Sequence, residues 1–455
     1  MQPERSAADR RRDGVTAAAL VLTLLVAYNL NGREIGSYDT QATKFAAREL
    51  LLHGTLDVDR VVAAQPAYAS RWGFILAADG HYRSIYSPVP SIMAAVIAWP
   101  FCKTGVIDVR APLAPGLMAV MAASLLVALA VAMGFAAARK RVSRVRALWI
   151  ALGLGLGTGF WNTASQTLWL TESAVFGLAL AVLAFAAPRD RIGLRGAAAI
   201  AIGLGLAGVT RPQLAPLIAV MLIGTCARSR PRDAIAALLL LGAFAAAICA
   251  TNLRWFGSVL GALPLLQEIN SQVHATGASF GATLEGAAGL LVSPNRGLVV
   301  FSPIVLIALA GIRAAVSEGW RGPLFWCVAA LAAQFALYST YAVWWGGHTY
   351  GPRYLIDVLP LAVPLAAAAM SRPAIAPSAK LLAAAALVWS MAVAATGAFC
   401  YPHDMWNTDP LDVDRHHRRL WEVSDTQIRR CWTRGVSPQN FSLFDRAAVR
   451  VPPGP

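Results

Sequence analysis

Charged residues are scarce in this chain: of its 455 residues only 14% are Asp, Glu, Lys or Arg, whereas 57% are hydrophobic. A soluble core cannot hide that many apolar side chains and still leave a wettable surface. This composition excludes an ordinary soluble fold. It predicts an all-α polytopic membrane protein whose helices contact the lipid bilayer.

Other signals are missing as well. The six cysteines are scattered, with no C-x-x-C pair and no metal-ligand spacing, so neither a redox motif nor a zinc site is indicated. No glycine-rich phosphate loop stands between a strand and a helix, which gives no indication of a nucleotide fold. Lysine is nearly absent, so arginine supplies most of the formal charge of +15. The arginines fall in short loops rather than on one face, which favours membrane topology over nucleic-acid binding.

Long apolar segments account for most of the chain. A bilayer requires roughly 20 residues per helix, so several of the segments must extend into their flanks. Eleven are found, at residues 15–31, 112–138, 147–160, 170–187, 194–209, 212–226, 233–251, 290–312, 322–343, 353–371 and 380–400. They predict about 11 transmembrane helices.

Arginine clusters orient these segments. The clusters lie at residues 10–12, 139–146, 189–195 and 228–232, and at Arg372 with Lys380. If all are cytoplasmic, as the positive-inside rule requires, eleven crossings place the N-terminus in the cytoplasm and the C-terminus outside.

Two segments need a separate interpretation. Residues 89–101 are short and bounded by Pro88, Pro90 and Pro100, so we interpret them as a helix lying along the outer surface. The arginine-rich start before the first apolar run could instead be a signal peptide. Because no convincing small-residue cleavage site follows it, we interpret it as an anchor.

This layout leaves three substantial regions on the outer side: residues 32–88, residues 252–289, and a tail of residues 401–455. The first of them is expected to carry juxtamembrane helices, and residues 1–400 form the membrane core. The unusual polar residues gather on this one side, which indicates that a functional site lies there.

One aromatic and cationic run stands out where a helix meets water. Residues 344–354 contain Trp344, Trp345, His348, Tyr350, Arg353 and Tyr354. Tyrosine and tryptophan favour a polar boundary, and an arginine there could hold a phosphate through two parallel hydrogen bonds. The alternative is an ordinary aromatic belt with a snorkelling arginine.

Asp39 follows the first apolar segment. Its carboxylate could accept a proton from an acceptor hydroxyl. Alternatively, Asp39 or Thr40 could cap a helix predicted over residues 41–52.

Several of these motifs resemble a known family. They are Tyr38-Asp39-Thr40, Ser293-Pro294-Asn295-Arg296-Gly297, Phe301-Ser302-Pro303, Trp344-Trp345-Gly346-Gly347 and Gly351-Pro352-Arg353-Tyr354. Together they look like the bacterial integral-membrane glycosyltransferases of the type C (GT-C) superfamily, relatives of the protein O-mannosyltransferases and the aminoarabinose transferases. The resemblance covers most of residues 30–360.

The resemblance implies an inverting hexosyl- or pentosyltransferase in the bacterial inner membrane. Such an enzyme takes a sugar from a polyprenyl-phosphate donor on the periplasmic face, with Asp39 as the base that activates an acceptor hydroxyl. The acceptor is expected to be a glycan, a lipid or a protein. Residues 252–289 hold no sugar-binding MIR-type insertion, so a protein acceptor is not supported on that ground.

Further residues join this expected site. Glu172 occupies the place of a second acidic residue found in related enzymes, with a hydrogen bond to Asn162 or Gln166 as its alternative. Arg211, Arg296 and Arg353 are candidate donor-phosphate ligands, although Arg211 could merely snorkel. Tyr38, Trp344, Trp345, His348, Tyr350 and Tyr354 are expected to line the substrate. A divalent metal would be possible if Asp39 and Glu172 converged.

Two further expectations remain. Cys400 and Cys431 are exposed on the outer side by this topology, where oxidising conditions permit a disulfide; the alternative is two free thiols. A transporter or flippase of a lipid-linked sugar is the competing function. It predicts internal repeats or broken helices at the membrane midplane, and no obvious repeat is present.

Overall fold

The computed structural model describes residues 6–186, 191–266, 268, 283–372 and 376–444. Parts of the predicted 252–289 loop and of the 401–455 tail lie outside the described residues. Among those described, the only sheet is a two-stranded antiparallel hairpin of β1 (Phe74–Leu76) and β2 (Tyr82–Ser84), with Ile75 opposite Arg83.

Helices form most of the rest of the described part of the chain. They are α1 (Ala7–Asn29), α2 (Tyr38–His53), α3 (Asp59–Ala64), α4 (Val89–Lys103), α5 (Ala114–Ala138), α6 (Arg144–Leu156), α7 (Thr171–Phe185), α8 (Leu194–Thr210), α9 (Ala215–Ala227), α10 (Pro231–Phe256), α11 (Thr283–Val292), α12 (Leu298–Phe301), α13 (Leu306–Leu309), α14 (Ile312–Glu318), α15 (Pro323–Ser339), α16 (Arg353–Ile356), α17 (Leu359–Met370), α18 (Pro377–Cys400) and α19 (Gln427–Arg434).

Four helical stretches in the described ranges are long and apolar enough to cross a bilayer: Ala114–Ala138, Pro231–Phe256, Pro303–Arg321 and Pro377–Cys400. Six further apolar helices of 10–17 residues accompany them. These lengths support a membrane protein, and the total of eleven crossings stays a prediction. The predicted segment 290–312 is not one continuous helix, because turns at Ser293 and Ser302 divide it.

Small residues allow the helices to pack closely. On α7, a Cβ added to Gly177 would lie 2.6 Å from the carbonyl oxygen of Gly203 on α8. Contact this close is possible only where neither helix presents a larger side chain. Helix α5 occupies the centre, packing against α1, α6, α7 and α17.

The arginine-rich turns meet at one end of the helices. Asp13 of α1 accepts hydrogen bonds from Arg139 Nε at 3.0 Å and Arg144 Nε at 2.8 Å. Arg146 donates to the carbonyl oxygen of Met370, at the end of α17. These contacts join residues from three of the turns that the positive-inside rule assigns to the cytoplasm.

The three long polar regions contact one another. Arg33 Nη2 donates to the carbonyl oxygen of Tyr401 at 2.7 Å. Residues 32–88, called the first loop from here on, therefore contact the tail. The backbone N–H of Asp79 donates to Trp255 O at 3.3 Å, which ties the first loop to the end of α10. A disulfide joins Cys400, the last residue of α18, to Cys431 of α19, with their Cα atoms 5.6 Å apart.

Candidate active site

Asp39 lies in the first turn of α2. The cap of this helix is Ser37, whose side-chain oxygen accepts the N–H of Asp39 at 3.2 Å. The predicted capping role of Asp39 or Thr40 is therefore wrong, because the helix begins earlier than residue 41. The Asp39 side chain instead contacts Arg353: Arg353 Nη2 donates to Asp39 Oδ2 at 3.0 Å. Both side chains keep some solvent contact, at 22% and 17% exposed.

Arg353 is the first residue of the short helix α16. Its guanidinium lies 4.7 Å above the ring of Trp169, a cation–π contact that fixes its plane. Its side chain packs against Gly346, which has φ +76°; a Cβ added there would lie 3.4 Å from Arg353 Cβ. Among the described residues, the Arg353 side chain makes one hydrogen bond, to Asp39, and its Nε has no partner.

Two aromatic residues of the first loop complete the surroundings of Asp39. Trp72 Nε1 donates to the hydroxyl oxygen of Tyr86 at 2.9 Å. Burial and the negative charge of Asp39 raise the pKa of Tyr86 well above its ordinary value. Tyr86 therefore stays protonated and can donate a hydrogen bond toward Asp39.

Arg211 belongs to a separate, buried ion pair. Its Nε lies 2.9 Å from Asp357 Oδ2, and the two side chains are 3% and 0% exposed. Arg211 Nη1 also donates to Thr171 Oγ1 at 3.1 Å, and the Tyr338 hydroxyl donates to Asp357 at 3.2 Å. A carboxylate thus already neutralises this predicted phosphate ligand. The snorkelling alternative is excluded too, because the guanidinium is buried.

Arg296 is fully occupied by the protein. Nε donates to Trp345 O, Nη1 to Asn295 O and Gln427 Oε1, and Nη2 to Gly347 O and Asn407 Oδ1, all between 2.7 and 3.1 Å. These bonds use all five N–H groups of a guanidinium. Arg296 is therefore not free to bind phosphate. Instead, its hydrogen bonds connect the tail to the aromatic run.

The aromatic run is covered by the tail. Trp344 and Trp345 are each 2% exposed and pack with Trp406, Val413 and Leu420. Tail side chains therefore cover both rings, and neither ring lines an open cleft. Trp345 Nε1 donates to Asp414 at 2.7 Å, and His348 Nε2 lies 3.2 Å from Asp412 and Asp414.

The predicted tyrosines are distributed differently. Tyr350 is buried and donates to Val393 O at 3.1 Å, so it is a core residue. Tyr354 stacks on Tyr338 with centroids 5.2 Å apart. Tyr38 is 57% exposed beside Asp39. Of the six predicted lining residues, Tyr38 and Tyr354 directly adjoin the Asp39–Arg353 pair in sequence.

Glu172 is completely buried near the start of α7. Its Oε1 accepts from Ser173 Oγ at 3.2 Å, and the predicted alternative partners Asn162 and Gln166 bond elsewhere. Three groups of metal-ligating side chains converge among the described residues, and none of them contains Asp39 or Glu172. A metal held by Asp39 and Glu172 together thus gains no support from these groups.

An apolar cavity of about 280 Å³ lies beside α16 and α17. Leu355 and Leu359, which follow Arg353 closely in the chain, line it. Among the described residues that line it, Ser302 alone is polar.

No protein-family model and no curated protein matches the sequence. Among solved structures, the apo oligosaccharyltransferase of Archaeoglobus fulgidus is 10% identical with a TM-score of 0.48, over 90% of this chain and 60% of that chain. The same enzyme with zinc and sulfate is 11% identical with a TM-score of 0.49, over 90% and 58%. Its complex with an inhibitory peptide and a dolichol-phosphate is 12% identical with a TM-score of 0.43, over 90% and 60%. The chain thus spans about three fifths of the length of these structures.

Sequence reasoning missed Asp357, Trp72 and the role of Tyr86. Asp357 had a usable signal, because a carboxylate within the apolar segment 353–371 must find a partner. Trp72 and Tyr86 stand in a polar loop with no periodic pattern, so only the three-dimensional structure brings them to Asp39.

Proposed function

We propose that the protein is a membrane glycosyltransferase that moves a sugar from a polyprenyl-phosphate donor to an acceptor hydroxyl. The observation that carries the proposal is the ion pair of Asp39 with Arg353. It joins a carboxylate able to take a proton and a guanidinium able to hold a phosphate, both accessible to solvent. Transfer from a phosphate-linked donor needs these two groups side by side.

Arg353 is the best of the three predicted phosphate ligands. Arg211 is neutralised by Asp357, and every N–H of Arg296 is already used. Arg353 alone among the three combines solvent contact with unused N–H groups in the described part of the chain. A phosphate oxygen can therefore take the place of Asp39 on this guanidinium.

In the proposed reaction, donor binding turns Arg353 from Asp39 to the phosphate. The carboxylate then becomes free to accept the acceptor's hydroxyl proton. The acceptor oxygen attacks the anomeric carbon of the sugar while the bond from that carbon to the phosphate oxygen breaks, which inverts the configuration. The leaving phosphate takes the bonding electrons, and Arg353 stabilises its charge.

The apolar cavity supports a lipid carrier. Its described lining includes Leu355, two positions after Arg353 in the chain, and is almost wholly apolar, so a polyprenyl chain could enter it while its phosphate stays at Arg353. We assign Glu172 no part in the transfer step, because its side chain is fully buried. We further propose that the site faces the periplasm and that the arginine-rich turns face the cytoplasm of a bacterial inner membrane.

The test is a transfer assay on the purified full-length protein in lipid nanodiscs. Synthetic polyprenyl-phosphate sugars are added, and mass spectrometry follows release of polyprenyl phosphate and gain of the sugar by an acceptor or water. Arg353→Lys should weaken donor binding about tenfold, because lysine loses the planar two-point contact. Asp59→Asn, in the same loop, serves as the control for general damage.

The same donors distinguish transport. In sealed liposomes, a flippase would move the intact lipid-linked sugar between leaflets and release no polyprenyl phosphate. That result, obtained across donors with several sugars, would reject the transferase proposal.

A further inference from the structure

A second arginine, Arg71, contacts Tyr38, the residue that precedes Asp39, and lies outside the donor site. The turn Arg71-Trp72-Gly73 packs directly on the start of α2: a Cβ added to Gly73 would lie 2.9 Å from the carbonyl oxygen of Tyr38. Gly73 also has φ +92°, which a larger residue rarely adopts. Glycine therefore lets this turn approach the base closely.

The Arg71 guanidinium contacts two aromatic rings. It lies 5.6 Å from the ring centroid of Tyr38 and 5.1 Å from that of Tyr68. Arg71 is exposed, and within the described ranges its side chain makes no hydrogen bond and no ion pair. The two rings contact the flat face of the guanidinium. The N–H groups in its plane therefore remain available to an anion.

Arg48, in the same region, provides a comparison, because it is an arginine that already binds a carboxylate of the protein. It lies 5.2 Å from the ring of Phe45, a comparable stacking contact. Two of its nitrogens, however, donate to Glu49 Oε1 at 2.8 and 3.1 Å. The stacking alone is therefore no mark of a binding site; Arg71 differs because no carboxylate of the described chain neutralises it.

We propose that Arg71, with the rings of Tyr38 and Tyr68, is an acceptor subsite that recognises an anionic group on an acceptor sugar. A guanidinium binds carboxylate or phosphate through two parallel hydrogen bonds. The exposed ring of Tyr38, one residue before Asp39 in α2, offers an apolar face to the C–H side of a sugar. This inference rests on the proposed function, since it takes Asp39 as the base that the acceptor must reach.

The test measures binding without turnover. Full-length protein in nanodiscs of zwitterionic lipid is titrated with methyl glucuronide, glucose 6-phosphate and methyl glucoside, and affinities are read by saturation-transfer NMR. We expect one or both anionic probes to bind about tenfold more tightly than the neutral one. The stronger of the two identifies the anion as carboxylate or phosphate. Arg71→Gln should remove this preference, and the matched Arg48→Gln should keep it.

Two results would overturn the proposal: equal affinity of all three probes for the wild type, or a preference that survives in Arg71→Gln. The donor assay separates this outcome from failure of the proposed function. A protein that binds the anionic probes at Arg71 but releases no polyprenyl phosphate retains the anion site and loses the transferase assignment. A protein that turns over donor with no anion preference retains the transferase and loses the subsite.

Discussion

Arg353 Nη2 lies 3.0 Å from Asp39 Oδ2, although 314 positions separate the two residues in the chain. The contact joins the start of α2 to the start of α16. It keeps the carboxylate of the proposed base paired with a cation until something else binds that cation. A donor phosphate is an anion suited to do so. In the proposed reaction, this exchange links donor binding to activation of the acceptor.

Asp39→Asn should abolish transfer while leaving the fold and donor binding largely intact. Asparagine keeps the shape and still accepts a hydrogen bond from Arg353, but it cannot take up the acceptor proton. We expect the rate to fall by about 100-fold or more. Single-turnover mass spectrometry measures the rate, and a binding assay with donor checks that affinity is retained. Turnover near that of the wild type would remove Asp39 from the mechanism.

Arg211→Gln should affect stability before it affects donor recognition. The substitution leaves the buried carboxylate of Asp357 without its cation, at a cost of about 3–5 kcal/mol. The double variant Arg211→Gln with Asp357→Asn should recover part of that loss, because no buried charge is left unpaired. Thermal unfolding in detergent gives both comparisons. A stable Arg211→Gln protein with weakened donor binding would instead assign the phosphate to Arg211.

The helices could be predicted from the sequence because long apolar runs leave few alternatives. The runs at 112–138 and 380–400 correspond to α5 and α18. The prediction of one continuous helix over residues 290–312 is wrong. Ser293 and Ser302 carry turns there, so hydropathy alone overlooked a break that polar and glycine residues produce.

The site could be predicted in part. The sequence makes Asp39 a candidate base through the family resemblance and Arg353 a candidate phosphate ligand in the aromatic run, but no sequence pattern shows that the two contact each other. The hydrogen-bond partners of Arg296 could not be predicted from the sequence either. Its acceptors include the main-chain carbonyls of Trp345 and Gly347 and the side chain of Gln427, and carbonyl positions depend on the fold rather than on residue identity.

Breaking the Cys400–Cys431 disulfide should loosen the tail. The two residues are 31 positions apart, and closing a loop of this length stabilises the folded state by about 3–4 kcal/mol. In the Cys400→Ser, Cys431→Ser variant we expect faster proteolysis within residues 401–444 and unchanged protection of α5. Cys102→Ser is the control, since Cys102 is a free cysteine. Recovery of both residues as free thiols from protein purified without reductant would rule out the bridge.

Asp404 should make the stability of the tail depend on pH. Its side chain is 0% exposed, and burial raises its pKa from 3.8 to about 6, although the charge of Arg296 acts in the opposite direction. Arg430, Tyr401 and Tyr350 also face this carboxyl group. The folded protein thus binds the proton more tightly than the unfolded chain does. The resulting stability is complete below pH 3.8 and is lost as the pH rises to about 6.

The difference between these two pKa values corresponds to a change of about 3 kcal/mol in the free energy of unfolding. Asp404→Asn keeps a neutral side chain of the same shape at every pH, so its contribution should stay constant where that of the wild type declines. Unfolding is followed by the fluorescence of tryptophan, since Trp406 is buried in the same segment. We expect similar unfolding temperatures for the two proteins near pH 4 and a higher one for Asp404→Asn at pH 7.5. Asp412→Asn, at a half-exposed position of the tail, should instead follow the wild type. If the unfolding temperatures of wild type and Asp404→Asn change with pH in parallel across this range, the buried carboxyl group does not carry the proton in the folded state.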